Sequence, residues 1–180
     1  MKKILLLVSL AISNISFAQT HIPSKKETAN YITSKILSFG PDQDPSQSYY
    51  QLKFDDESCA LTIKYYQHSI IGTFNEDCYT SETVYFSNLD ANSISWDIIN
   101  SSKTLTMTLV SPNGGFVTLK GKLRPNGSYY AGRFESKVIF YFSVSKVSEN
   151  SDFQGKFERA VKNLIELCGG SKEEEDPFEK

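Results

Sequence analysis

The sequence predicts an α+β fold, a curved antiparallel sheet or partly closed barrel of about seven strands flanked by an N-terminal and a C-terminal helix. Helical spacing of apolar residues occurs near the two ends of the chain, whereas between Tyr49 and Val147 apolar residues recur at every second position. Strands that follow one another in sequence mostly pair antiparallel, and such a sheet has an apolar face that two amphipathic helices can cover.

The first residues are predicted to form a signal peptide. Residues 1–3 (MKK) are positively charged, and the apolar run at 4–12 is shorter than the roughly 20 residues that a membrane-spanning helix needs. Residues 16–18 (SFA) place small side chains where a signal peptidase requires them. We expect cleavage after Ala18 and export, either to the periplasm of a Gram-negative-type bacterium or out of the cell.

The rest of the chain is predicted to be one α+β domain at 19–170, followed by an acidic disordered tail at 171–180. The formal net charge is −2, and the leader carries two lysines and no acidic residue, so the mature charge is −4. A mildly acidic domain is poorly suited to a phosphate backbone, so nucleic acid is not an expected partner. No stretch after the leader is long and apolar enough to span a membrane.

Helical signals mark the first element of the domain. Residues 24–27 (SKKE) form a capping box after a proline. The following apolar residues keep helical spacing at Ala29, Ile32, Ile36 and Phe39. Gly40 is suited to a left-handed stop, so the helix is predicted over 25–39.

Seven runs of alternating apolar residues predict strands. Their inward positions are Leu52 and Phe54; Cys59, Leu61, Ile63 and Tyr65; Val84 and Phe86; Ile94, Trp96 and Ile98; Leu105, Met107 and Leu109; Val117 and Leu119; Val138, Phe140, Phe142 and Val144. Asn-Gly turns at 111–115 and 124–127 separate some of them, because asparagine and glycine tolerate positive φ.

The last element is predicted to be a second amphipathic helix. Residues 151–154 (SDFQ) read as another capping box, and apolar residues from Phe153 to Cys168 keep helical spacing. Gly169 and Gly170 end the helix.

Two resemblances follow from this order of elements. From Tyr49 to Gly169 the order resembles the pleckstrin-homology-type barrel, in which a C-terminal helix closes seven antiparallel strands. Residues 157–168 (FERAVKNLIELC) also resemble the closing helix of small uncharacterised exported bacterial α+β proteins. The first resemblance implies a barrel, the second implies no activity, and the basic phosphoinositide hairpin of many pleckstrin-homology-type domains has no match here.

Three cysteines are candidates for a disulfide in an oxidising compartment: Cys59, Cys78 and Cys168. We favour Cys59–Cys78, because a chain reversal near residues 68–69 would place them opposite each other. The alternatives are Cys59–Cys168, which would tie the sheet to the last helix, and three buried thiols.

Tyrosine doublets are the most suggestive functional feature. Adjacent strand residues point to opposite faces, so one tyrosine of each doublet should face outward or into a groove. Together with the tryptophan they could stack on a glycan or bind a protein partner. The candidate binding residues are Tyr49, Tyr50, Tyr65, Tyr66, Trp96, Tyr129 and Tyr130.

The sequence contains no recognisable catalytic, cofactor or metal motif, so we expect no cofactor and an exported, non-catalytic binding or interaction domain of unknown ligand. One alternative is a small secreted hydrolase that uses loop carboxylates. Those carboxylates are Asp42, Asp44, Asp55, Asp56 and Glu57. The other alternative is a small-molecule carrier with its ligand held between the sheet and a helix.

Overall fold

The computed structural model describes residues 22–41, 48–67, 79–112, 118–123, 129–130 and 134–171. The described residues form an α+β fold with two antiparallel sheets and three α-helices. The predicted signal peptide lies outside them, as do the reversal near 68–69 and the centres of both Asn-Gly turns. Of the predicted tail at 171–180 only Ser171 is described, and it forms a β-bridge with Asp90.

Helix α1 spans Lys25–Phe39, and its predicted capping box is confirmed. Ser24 Oγ accepts from the Glu27 amide at 3.3 Å, and the Ser24 amide donates to Glu27 Oε2 at 2.8 Å. The predicted left-handed stop is wrong, because Gly40 has a φ of −55°. Glycine is needed there for another reason: a Cβ atom at Gly40 would lie 2.6 Å from the Ile36 carbonyl oxygen.

The larger sheet has six strands. They are β1 (Ser48–Asp55), β2 (Ala60–Gln67), β3 (Tyr79–Tyr85), β6 (Thr118–Leu123), β7 (Tyr129–Tyr130) and β8 (Phe134–Glu135). Their order is β1-β2-β3-β6-β7, and β8 also pairs with β6.

The smaller sheet has three strands, β4 (Ser95–Ile99), β5 (Thr104–Val110) and β9 (Lys137–Ser143), in the order β4-β5-β9. Two single-turn 3₁₀ helices, Phe86–Asn88 and Ala91–Ser93, carry the chain from the first sheet to the second.

The single sheet or partly closed barrel of about seven strands is not confirmed. The described strands number nine and form two sheets without a closed barrel. The apolar run ending at Phe86 leaves the strand pattern, because Phe86 starts a 3₁₀ turn and is fully buried there. Strands β7 and β8 have two residues each, which is too short for an alternation to be visible.

Two further helices follow β9. Helix α2 spans Val144–Ser148, so Val144 begins a helix rather than ending a strand. Helix α3 spans Phe153–Leu167, and its predicted capping box is wrong. Asp152 is the N-cap and makes no capping hydrogen bond with its side chain, so Gln154 is the second helical residue instead of the third.

Helix α3 ends where the two glycines predict. Gly169 has a φ of +80°. Its amide donates to the Glu166 carbonyl at 3.0 Å, and the Gly170 amide donates to the Ile165 carbonyl at 2.9 Å. These bonds form a Schellman motif, which satisfies carbonyls left open at the helix end.

The core lies between the helices and both sheets. The Phe142 ring on β9 lies 5.0 Å from the Phe153 ring and 4.9 Å from the Phe157 ring of α3. Helices α1 and α3 lie side by side, and Asn163 Nδ2 donates to the buried Thr28 Oγ1 at 3.0 Å. The fully buried large side chains belong to one cluster: Phe86, Phe142, Phe157, Ile32, Leu61, Leu89, Met107, Leu109, Leu164, Ile165 and Val84.

A disulfide joins Cys59 to Cys168, with their Cα atoms 5.7 Å apart. The favoured pairing of Cys59 with Cys78 is therefore wrong, and the alternative that ties the sheet to the last helix is observed; Cys78 itself lies outside the described residues. Cys59 occupies the turn between β1 and β2 with a φ of 51°, which aims its side chain at the end of α3. None of the described helices is both long and apolar enough to cross a membrane.

Candidate ligand-binding cleft

A cleft of about 240 Å³ lies between the two sheets, beside the end of α1. Strands β1, β2 and β3 of the larger sheet and β9 of the smaller sheet all contribute to its lining. Its lining residues are Ile36, Gly40, Pro41, Tyr50, Ile63, Tyr65, Thr80, Glu82, Ile139, Phe140 and Tyr141.

The register of the larger sheet explains why its residues meet in this cleft. Tyr50 pairs with Tyr65, Tyr65 pairs with Thr80, and Ile63 pairs with Glu82. Directly opposed residues in an antiparallel pair share one face of the sheet. The rings of Tyr50 and Tyr65 accordingly lie 5.1 Å apart at an interplanar angle of 44° and form one aromatic wall.

The cleft is an unfavourable place for an added negative charge. Burial raises the pKa of Tyr50 above its usual value of about 10, and the neighbouring Tyr65, Glu82 and Tyr141 raise that pKa further. At neutral pH the Tyr50 phenol is therefore protonated and carries a hydrogen that it can donate.

The tyrosine doublet on β2 divides between the two faces of the sheet, as strand alternation predicts. Tyr65 lines the cleft. Tyr66 lies on the opposite face, is only 8% exposed, and donates from its hydroxyl to Gln51 Oε1 at 3.1 Å. Tyr66 is thus a packing residue, whereas Tyr65 is available to a ligand.

The other candidate tyrosines are only partly described. Tyr49 is a residue of β1, and Tyr129 and Tyr130 form β7. The positions of these three side chains lie outside the described part of the chain. Tyr50 and Tyr65 are therefore the two candidate tyrosines that the structure brings together in the cleft.

The remaining candidate, Trp96, packs between β4 and α3 and does not line the cleft. Its ring lies 6.1 Å from the Phe142 ring and 6.4 Å from the Phe157 ring. Its indole Nε1 donates to Glu158 Oε2 at 2.9 Å, and Glu158 also pairs with Lys162 Nζ at 3.3 Å. The indole therefore joins the smaller sheet to α3.

Sequence reasoning missed three polar residues of the cleft, Thr80, Glu82 and Tyr141. Tyr141 is 46% exposed and stands between the buried Phe140 and Phe142. Strand alternation in this apolar run could have identified it as an outward-facing aromatic residue, and so as a candidate for ligand binding. Glu82 gave no signal, because it stands in a polar run and its position depends on the pairing of β3 with β2.

Among the described acidic turn residues, Asp55, Asp56 and Glu57 do not line the cleft. Asp55 Oδ1 accepts from the amides of Glu57 at 3.0 Å and Ser58 at 3.3 Å, and these backbone hydrogen bonds lower the pKa of Asp55. Its carboxylate therefore stabilises the turn between β1 and β2. Asp42 and Asp44 lie outside the described residues. Within the described ranges, no three His, Cys, Asp or Glu residues are placed to hold a metal ion.

A second, more open groove of about 560 Å³ runs along the outer side of α1 and α3. Its lining includes Tyr31, Ala160, Lys156 and Arg159. Both basic groups are 3.6 Å from the same Asp152 carboxylate oxygen. None of the binding residues predicted from the sequence is among the described residues that line this groove.

Comparison with known proteins found no matching family model, no matching curated protein and no matching solved structure. The resemblance to small exported bacterial proteins stays a prediction. Function is inferred from the residues of the cleft.

Proposed function

We propose that the protein is an exported, non-catalytic binding domain whose ligand occupies the cleft between the two sheets. One observation carries this proposal. Tyr50 and Tyr65, both candidate binding residues in the sequence, lie with Tyr141 and Glu82 around a single concave space.

The composition of the cleft supports ligand binding. Small-molecule sites are usually concave and mostly apolar, with a few polar groups that orient the ligand. Ile36, Ile63 and Ile139 supply apolar surface here, and the phenols, Thr80 and Glu82 supply polar groups.

The size of the cleft limits the occupant. At about 240 Å³ it is smaller than the roughly 300–1,000 Å³ typical of sites for drug-sized ligands. A compact molecule, or one projecting group of a larger partner, fits such a space. The end of α1 forms part of the lining, which also supports the carrier alternative, with ligand held between a sheet and a helix.

Export is part of the same proposal. Residues 1–18 have the sequence properties of a signal peptide that is cleaved after Ala18. The disulfide between Cys59 and Cys168 supports an oxidising compartment, since disulfides persist in the periplasm and outside the cell.

The test is a nuclear magnetic resonance screen of the purified protein against monosaccharides, amino acids and small amines. We expect amide shift changes to cluster at Tyr50, Tyr65 and Glu82, and Tyr141→Ala to weaken binding because it removes the ring that β9 contributes to the lining. Tyr31→Ala is the matched control, because this tyrosine is also half-buried but lines the other groove. Shifts confined to the α1–α3 groove, or full binding by Tyr141→Ala, contradict the proposal.

A further inference from the structure

We propose that the cleft recognises an organic ammonium cation with alkyl or methyl substituents. This inference rests on the proposed function, because it takes the cleft as the ligand site. Three phenol rings and one carboxylate surround the same space of about 240 Å³. That combination is suited to a compact positive group that also has apolar surface.

The aromatic rings provide the first contribution. The face of a tyrosine ring attracts a cation that lies within about 6 Å of the ring centroid. The Tyr50 and Tyr65 centroids are only 5.1 Å apart, so one cation can lie within about 6 Å of both centroids. Tyr141 adds a third ring to the lining, from β9 of the smaller sheet.

The carboxylate provides the second contribution. Glu82 is half-buried and lines the cleft, and it lies close enough to Tyr50 to raise the pKa of that phenol. Glu82 also interacts within the protein, and the register places Lys120 of β6 opposite it. A carboxylate has about four acceptor positions, so it can serve a ligand as well as an internal partner.

The rest of the lining favours an organic cation over a hydrated metal ion. Glu82 is the one charged side chain among the described lining residues, and the register places Lys122 of β6 opposite Thr80, as it places Lys120 opposite Glu82. Lys146 lies near the end of α1, where its Nζ donates to the Gly40 carbonyl at 3.2 Å. The apolar side chains of the lining, Ile36, Ile63 and Ile139, offer contact to methyl or alkyl groups.

A neutral ring such as a sugar could stack on the same tyrosines, but its binding would not depend on the charge of Glu82. The two ligand classes are separated by three probes: choline, its uncharged carbon isostere dimethylbutanol, and glucose. Titration calorimetry and amide shifts of the purified protein measure their binding. We expect choline to bind at least about fivefold more tightly than dimethylbutanol, because only choline gains cation–π attraction.

Two variants and a control test the assigned residues. Glu82→Gln keeps the shape of the side chain and should weaken choline about fivefold while leaving dimethylbutanol unchanged. Tyr65→Leu should weaken choline to a similar extent. Tyr66→Phe, on the other face of the sheet, should change neither affinity. Circular dichroism of each variant shows whether the fold is retained.

Each outcome supports or overturns the inference. If choline does not bind, or dimethylbutanol binds as tightly, or Glu82→Gln changes nothing, the cation inference is wrong. If glucose shifts the cleft resonances in place of choline, the proposed binding function stands and only the cation inference falls. If none of the probes and none of the screened compounds shifts a cleft residue, both fall.

Discussion

Tyrosines in this protein differ in role because their neighbours differ. Tyr66 is buried and its hydroxyl bonds to Gln51, which satisfies its polar group internally. Tyr65, one residue earlier, lines the cleft, and its ring lies 5.1 Å from the Tyr50 ring. Tyr31 on α1 lies under the Lys35 ammonium at 5.3 Å from its ring centroid. The neighbours across the strand or along the helix, and not the residue type, decide which ring a ligand can reach.

The raised pKa of Tyr50 gives a prediction at the residue scale. Absorbance titration of the phenols in the wild type and in Tyr50→Phe yields a difference curve for this one side chain. We expect its midpoint above about 10, because burial penalises the phenolate most and the acidic neighbours add to that penalty.

The sign of the effect on stability follows from the same shift. The pKa of Tyr50 is higher in the folded state than the value of about 10 in the unfolded state. Below that unfolded value the phenol is protonated in both states, so its titration does not change the stability. As the pH rises further, through the folded-state pKa, stability is lost because the unfolded state releases the proton first. Tyr50→Phe should therefore lose less stability than wild type in urea unfolding under alkaline conditions. A difference curve centred at or below about 10 contradicts the assigned environment.

At this scale the sequence predicted part of the cleft. Strand alternation predicts that the two tyrosines of the β2 doublet point to opposite faces, and Tyr65 lines the cleft whereas Tyr66 lies on the other face. This could be predicted because alternation is a local property of strands. Glu82 and Tyr141 were missed as partners, since they come from strands far apart in sequence. Trp96 gave a misleading signal: a large aromatic residue on an edge strand is half-buried under α3 and not open to a ligand.

At the scale of elements, helices were easier to predict than sheets. Helix α1 has the predicted bounds because its capping box and its end are both marked by nearby residues. The partition of the strands into two sheets depends on pairings between distant segments, such as β5 with β9. Val144 shows the limit of alternation, since it continues the apolar pattern of β9 yet begins α2.

The end of α1 gives a prediction about close packing. Gly40→Ala should lower the free energy of unfolding by about 1–3 kcal/mol, because the new Cβ atom would lie 2.6 Å from the Ile36 carbonyl oxygen. Since a backbone atom cannot move aside without shifting the helix end, the strain cannot be relieved locally. Urea unfolding of the variant and the wild type measures the loss.

Gly155→Ala is the matched control. Gly155 lies inside α3, and its new Cβ atom would meet a side-chain oxygen of Asp152 at 3.0 Å. That side chain can rotate, and alanine is a better helix former than glycine by about 1 kcal/mol, so stability should hold or rise. Equal losses for the two variants would show that the carbonyl contact at Gly40 is not the cause.

At the scale of the whole molecule, α3 connects parts of the fold that the strands leave separate. Its Phe157 packs against Phe140 and Phe142 of the smaller sheet. Its end is joined through Cys168 to Cys59, in the turn between the first two strands of the larger sheet. The helix therefore contacts the smaller sheet through its rings and is joined covalently to the larger sheet.

The disulfide gives the last prediction. Cys59→Ser or Cys168→Ser should lower the free energy of unfolding by about 3–5 kcal/mol, because the bridge spans 109 residues and restricts the unfolded chain. Urea unfolding measures the loss, and reductant should reproduce it in the wild type. The double variant Cys59→Ser/Cys168→Ser is the control and should lose no more stability than either single variant, because both remove the same bridge. If mass spectrometry without reductant finds Cys59 joined to Cys78, then no disulfide ties α3 to the larger sheet.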